Sequence, residues 1–138
     1  MRIIAADIYD VRPGASEQGL TPVILELITD EGIRGVGELA LAYGTGHLAG
    51  VGMLTEMAES FLIGANPLRI EKIWQTLYRH TFWGQGGGPV VYGGMSAIDE
   101  ALWDIKGKAM GVPVYELLGG KVNDSLRVYA NGWSNVKD

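Results

Sequence analysis

Apolar and polar positions alternate with period two in the first third of the chain, and that spacing predicts three β-strands. Arg2 to Val11 is rich in isoleucine and valine; Pro13-Gly14 breaks it, and a polar loop runs on to Leu20. In the next run, PVILELIT, residues Val23, Leu25 and Leu27 share one face, because successive strand side chains point to opposite sides. Asp30-Glu31-Gly32 forms a hairpin turn, with the glycine free to take positive φ, and Ile33 to Leu39 returns as the third strand. The pattern is that of an antiparallel meander.

After residue 46 the period becomes helical. Residues 47–63 carry Val51, Leu54, Ala58, Phe61 and Leu62 on one stripe, with Gly64 at the C-cap and Pro67 just beyond. A second helix over 68–80 places Ile70, Ile73, Trp74, Leu77 and Tyr78 at i, i+3, i+4, i+7 and i+8. The run WGQGGG at 83–88 interrupts, and Pro89 suits the first turn of a third helix. That helix turns Met95, Ile98, Leu102 and Ile105 inward and ends near Gly111, with Pro113 beyond. A short turn, VYELLGG, precedes a strand-like run, SLRVYA, at 125–130. This last run has no pairing partner nearby in sequence, so it is expected to open a larger sheet. The predicted class is α+β, a three-stranded antiparallel meander followed by a helical bundle.

Composition narrows the picture. The chain has 138 residues, 47% of them apolar and 20% charged, which suits one ordered domain with a real core. The net charge is −5 and no Lys/Arg block exceeds two residues, which argues against nucleic acid and anionic membrane as partners. There is no cysteine, so disulfides, thiolate zinc sites and cysteine nucleophiles are excluded; the lack also fits a cytoplasmic protein. The start, MRIIAADIYDVRP, lacks the apolar core of a signal peptide, and no apolar run has the length of a membrane span.

Candidate chemistry is sparse. Gly44-Thr45-Gly46-His47-Leu48-Ala49 fits the G-x-G-x-x-G/A dinucleotide fingerprint, but the preceding strand belongs to a hairpin and no βαβ unit follows. The helix start there is still suited to a carboxylate. His47 and His80 form no metal-ligand pattern. On the third helix Asp104 and Lys108 are spaced to pair at i,i+4, and Ala97, Ala101 and Gly107 permit close packing. Asp99, Glu100, Asp104 and Lys108 are therefore expected to be structural rather than acid–base residues. Trp74 and Trp103 fall within helices as packing residues, whereas Trp83 opens a glycine-rich loop.

The segment GMSAIDEALWDIKGKAMGVPVYELLG, 94–119, resembles the N-terminal signature of the mandelate racemase/muconate lactonizing enzymes of the enolase superfamily. Ser96, Ala97, Ile98, Asp99, Ala101, Leu102, Asp104, Ile105, Gly107, Lys108, Pro113, Val114, Leu117, Leu118 and Gly119 carry the match. Gly94 departs from it, where the family more often has alanine. The resemblance implies a capping domain over 1–120 and the start of a TIM-type barrel over 121–138, the run at 125–130 being its first strand. It further implies Mg²⁺-assisted proton abstraction next to a carboxylate, with metal ligands and bases on later barrel strands. No catalytic residue and no metal ligand is assigned within this chain, and Lys137 is not taken as the base. Alone, the chain is expected to be inactive.

By the same resemblance, the cap's loops close over the barrel mouth and shape specificity. The substrate-binding candidates are Glu17 and Gln18 in the first loop, Tyr43 and His47 in the second, Trp83 and Gln85 in the glycine-rich loop, and Asn131 and Trp133 after the barrel strand. Polar groups flanked by aromatics suit a polyhydroxylated acid. The segments FLIGANPLRIEKIWQTLYR, TFWGQGGG and ALWDIKGK look most like sugar-acid dehydratases of the galactonate type. Racemases and cycloisomerases with the same cap, or a non-catalytic α+β module, are the alternatives. The implied partners are a sugar-acid substrate, the C-terminal barrel domain and further copies in a homo-oligomer.

Overall fold

A computed structural model describes residues 1–11, 22–41, 46–80, 82 and 84–129. Three strands, β1 (Ile3–Asp10), β2 (Val23–Thr29) and β3 (Arg34–Leu39), form one antiparallel sheet in the order β1-β2-β3. Four helices follow: α1 (His47–Met57), α2 (Ile70–His80), α3 (Gly88–Met110) and the short α4 (Val114–Leu117). The described strands contain no parallel pair, so the dinucleotide fingerprint at 44–49 lacks the βαβ frame it needs.

The alternation in β2 is kept as expected: Val23, Leu25 and Leu27 are fully buried against the helices. β1 behaves differently. A plain period of two would put Ile3, Ala5, Asp7 and Tyr9 on one face. A register shift between Ile3 and Ala5 breaks that rule, and Ala6, Ile8 and Asp10 then lie opposite Leu27, Leu25 and Val23. Directly opposed residues share a face. The bulge thus lets Ile3, Ala6, Ile8 and Asp10 all turn toward the helices. In the hairpin, Gly32 takes φ 78° and donates to the Thr29 carbonyl at 3.0 Å. The buried Thr29 hydroxyl donates to the Ile33 carbonyl at 2.8 Å and accepts from the Ile33 amide at 3.0 Å, so it is not left unsatisfied.

The long helix α3 is the centre of the domain. Val91, Met95, Ile98, Leu102 and Ile105 are buried along one stripe, and Gly111 ends the helix in the left-handed conformation. β3 lies directly on it. A Cβ on Gly35 or Gly37 would overlap the carbonyl oxygens of Ala101 and Ala97, so two glycines on the strand and two alanines on the helix let the backbones touch.

The same helix closes the free edge of the sheet. Glu100 accepts from the Glu38 amide at 2.9 Å, Asp104 accepts from the Val36 amide at 3.0 Å, and Lys108 donates to the Arg34 carbonyl at 2.8 Å. Lys108 also pairs with Asp104 at 2.7 Å. The spacing has a simple origin. Two strand residues advance about 6.8 Å and four helix residues about 6 Å, so an i,i+4 side-chain row keeps step with every second strand residue. Glu100, Asp104 and Lys108 stand in for a fourth strand and protect an edge that would otherwise template pairing.

Two sequence expectations change. The helix expected over 47–63 is α-helical only to Met57; Ala58–Leu62 continues as a wider π-helical turn, and Gly64 after it takes φ 83°. α2 starts at Ile70 rather than 68, because Asn66 holds a turn first, its side chain accepting from the Leu68 amide at 2.9 Å. In the run at 125–130, residues 125–129 join no ladder, and Leu126, Val128 and Tyr129 are exposed. A strand exists only against a partner, and none of the three described strands pairs with this one. No described helix is long and apolar enough to cross a membrane.

Candidate functional site

The sheet register aligns Asp10, Val23 and Leu39 at one end of the domain. The β1–β2 ladder is finished there by the Val11 amide, which donates to the Pro22 carbonyl at 3.1 Å. From this end the chain enters 12–21 after β1 and 42–45 after β3. Because Glu38 meets Glu100 and Arg34 meets Lys108, α3 runs antiparallel to β3 and begins at the same end. Leu39 and Leu41 pack there between α1 and α3: a Cβ on Gly50 would meet both side chains within 3 Å, and one on Gly93 within 3.6 Å. The starts of α1 and α3 and the exits of β1 and β3 therefore converge, as do the roots of all three loops singled out from the sequence.

His47 is the first residue of α1, and its Nε2 lies 2.5 Å from Asp10 Oδ1. Both side chains are mostly buried, at 23% exposure each. Gly46 precedes it at φ 123°, a conformation closed to residues with a Cβ, and no side chain caps the helix. Gln85 sits exposed in the 3₁₀ turn Gly84–Gly86, just before α3. Glu17, Gln18, Tyr43, Trp83, Asn131 and Trp133 lie outside the described residues. Asp10 was missed from the sequence. Its inward orientation depends on the β1 bulge, which the alternation pattern does not announce.

Glu100 and Asp104 on α3 hold β3, and Asp104 pairs with Lys108 as their i,i+4 spacing implied. Asp99, half-buried on the α2 side, accepts a hydrogen bond from Trp103, whose ring also lies 4.8 Å from the Lys106 ammonium. Burial, reinforced by Glu71 on α2, raises the Asp99 carboxyl above its ordinary range; the Trp103 hydrogen bond opposes this. A raised pKa means that the folded chain holds this proton more tightly than the unfolded chain. Stability is then lost as pH rises from the unfolded value through the folded one. Asp99→Asn should raise the unfolding midpoint at pH 7 by about one or two degrees, since partial exposure keeps the penalty small. Thermal melts should show the gain vanish under acid conditions. A gain that persists below the ordinary aspartate pKa would refute the assignment.

Two further clefts open along α2. One, of 350 Å³, is lined by Phe61, Arg69, Lys72 and Thr76 among others. The other, of 320 Å³, is lined by Met53, Met57, Phe61, His80 and Phe82 among others. Neither includes Asp10 or His47. Among the described residues no group of three or more His, Asp or Glu side chains stands together to hold a metal ion.

The family model described as mandelate racemase/muconate lactonizing enzyme, N-terminal domain, matches residues 14–119. A D-galactonate dehydratase family member from Pseudarthrobacter chlorophenolicus is 42% identical over 95% of the chain, which spans 30% of that protein. The D-galactonate dehydratase of Ralstonia pickettii is 45% identical over 78% of the chain, corresponding to 27% of its length. In a crystal structure of a candidate dehydratase from Mesorhizobium loti, the whole chain superposes on 35% of the molecule with a TM-score of 0.91 and 51% identity. The chain thus spans about a third of the length of the proteins it matches. The family match takes in β2, β3 and the α3 signature, and the chain belongs to the mandelate racemase/muconate lactonizing enzyme family of the enolase superfamily as its N-terminal domain.

Proposed function

We propose that this chain is the specificity cap of a sugar-acid dehydratase of the D-galactonate class. One observation carries this furthest: three loop roots converge at one end of the sheet–helix unit. Such an end is built to bind and orient a substrate and to shed water from it, with the reaction centre supplied by another domain. The names of the relatives support the substrate class.

The reaction removes the proton α to the carboxylate and expels the neighbouring hydroxyl as water, leaving an enol that becomes a 2-keto-3-deoxy acid. Mg²⁺ would stabilise the charge built up on the carboxylate. Its ligands and the base belong to a C-terminal barrel whose start we place at residues 121–138, following a cap over 1–120. The whole enzyme is proposed to be a cytoplasmic homo-oligomer.

Within the cap, the substrate contacts we propose are Glu17, Gln18, Tyr43, His47, Trp83 and Gln85, from the segments whose roots meet at this end. Asn131 and Trp133, after residue 129, complete the proposed set. α4 sits at the opposite end of α3, yet thirteen residues from Leu118 to Asn131 span up to about 43 Å. That covers the return along α3, whose 23 residues rise about 35 Å.

The test uses the full-length protein with Mg²⁺ and a panel of aldonic and aldaric acids, following keto-acid formation. Turnover of a galactonate-like acid is expected. Tyr43→Ala and Asn131→Ala should each raise KM about tenfold or redirect preference within the panel, the loss of one good substrate contact. Kinetics unchanged across the panel would refute the cap's role, and racemisation without water loss would refute the dehydratase class.

A further inference from the structure

We propose that Asp10 and His47 are a positioning pair: their contact pins the start of α1 to the end of β1 and so sets the two neighbouring loop roots against each other. The inference rests on the cap reading above only for its effect on substrate. The two residues are 37 positions apart in sequence, and Nε2 to Oδ1 is 2.5 Å.

Each residue stands at the end of a regular element beside 12–21 or 42–45. Asp10 is the final residue of β1, held opposite Val23 in the ladder, and the chain enters 12–21 two residues later. His47 is the first residue of α1, directly after 42–45 and Gly46. The Asp10 side chain faces the helices because of the bulge at Ile3/Ala5; without that shift it would point to the outer face of the sheet.

The other side of the α1 start is already fixed. Gly50 lies so close to Leu39 and Leu41 that a Cβ would have to displace them, which holds the first turn against the exit of β3. Packing thus ties α1 to β3, and the Asp10–His47 contact ties it to β1. Together they lock the angle between the two roots.

The fold has anchors besides this contact. Further along, Leu54 and Met57 anchor α1 in the core. Losing the pair should therefore loosen the first turn of α1 without unfolding the domain. A small displacement of binding groups is enough to cost substrate affinity.

The experiment uses the full-length protein with His47→Ala, Asp10→Ala, the double substitution and His47→Gln. Amide exchange is followed over 47–54, alongside KM, kcat and the melting temperature. Asp10→Ala should speed exchange in the first turn of α1, although residue 10 lies on another element. KM for the acid that is turned over should rise about tenfold in each alanine variant, with kcat changed less than about threefold. The double variant should be no worse than either single one, because the pair acts as a unit. His47→Gln, which keeps a donor, should recover much of the loss, and melting temperatures should stay close to wild type. Additive KM effects would overturn the proposal, since each residue would then act separately. Exchange in 47–54 unaffected by Asp10→Ala would overturn it too. Faster exchange with an unchanged KM would uphold the pinning of α1 and overturn only the reading that these loops meet substrate.

Discussion

Gly37→Ala is expected to cost at least about 3 kcal/mol, the upper range for overpacking a closed interface, and to leave the domain barely folded. The added methyl would overlap the Ala97 carbonyl oxygen and sit 2.8 Å from its carbonyl carbon. Neither neighbour is a side-chain tip that can swing away. Relief requires moving β3 off α3, which opens the contacts of Leu39, Ile98 and Ala101 at once. Gly35→Ala should behave alike, with the Ile105 Cγ1 at 2.6 Å as a second obstacle. Gly52→Ala is the control: it lies in α1 with nothing within 4 Å of the new Cβ and should gain about 0.5–1 kcal/mol from helix propensity. Urea or thermal unfolding decides the matter. A Gly37→Ala protein as stable as wild type would show that the helix and strand are not in backbone contact.

Removing both carboxylates from the sheet edge, Glu100→Ala with Asp104→Ala, should cost about 2–3 kcal/mol. Two backbone amides, those of Glu38 and Val36, lose charged acceptors, and Lys108 loses its partner on the same helix. Water can reach this edge, which keeps the loss below that of a fully buried network. Exposing the edge should also promote self-association, visible as concentration-dependent light scattering. Glu100→Gln and Asp104→Asn keep an acceptor at each position and should lose less than about 1 kcal/mol apiece. Equal loss from the amide and alanine variants would mean that charge, not edge pairing, is what these residues supply.

These two cases show what the residues of the family signature supply to the fold. Small residues at 97 and 101 let a strand approach. Polar residues at 100, 104 and 108 then satisfy that strand's free groups. The i,i+4 spacing of Asp104 and Lys108 was visible in the sequence and rightly suggested structure. Their second set of partners, on β3, was not, because Val36 and Asp104 are 68 residues apart. The site was legible to a lesser degree. His47 stood out as a residue at a helix start following a loop, but its partner Asp10 reads as one polar residue in a strand until the bulge is known.

Local periodicity determined a great deal by itself: three strands in meander order, the stripes of α2 and α3, the turn at Gly32 and the stop at Gly111. Those features depend on residues within a few positions of one another, so the pattern that encodes them is also the pattern that is read. The specific run at 94–119 was enough to identify the family. Only the tertiary structure decided which face of β1 turns inward and where α1 widens into a π-helical turn. It alone showed that α3 serves as the fourth strand of the sheet, and that Asp10 and His47 meet. Each of these is settled by contacts or register between segments distant in sequence, where competing local arrangements differ little in energy and packing selects among them.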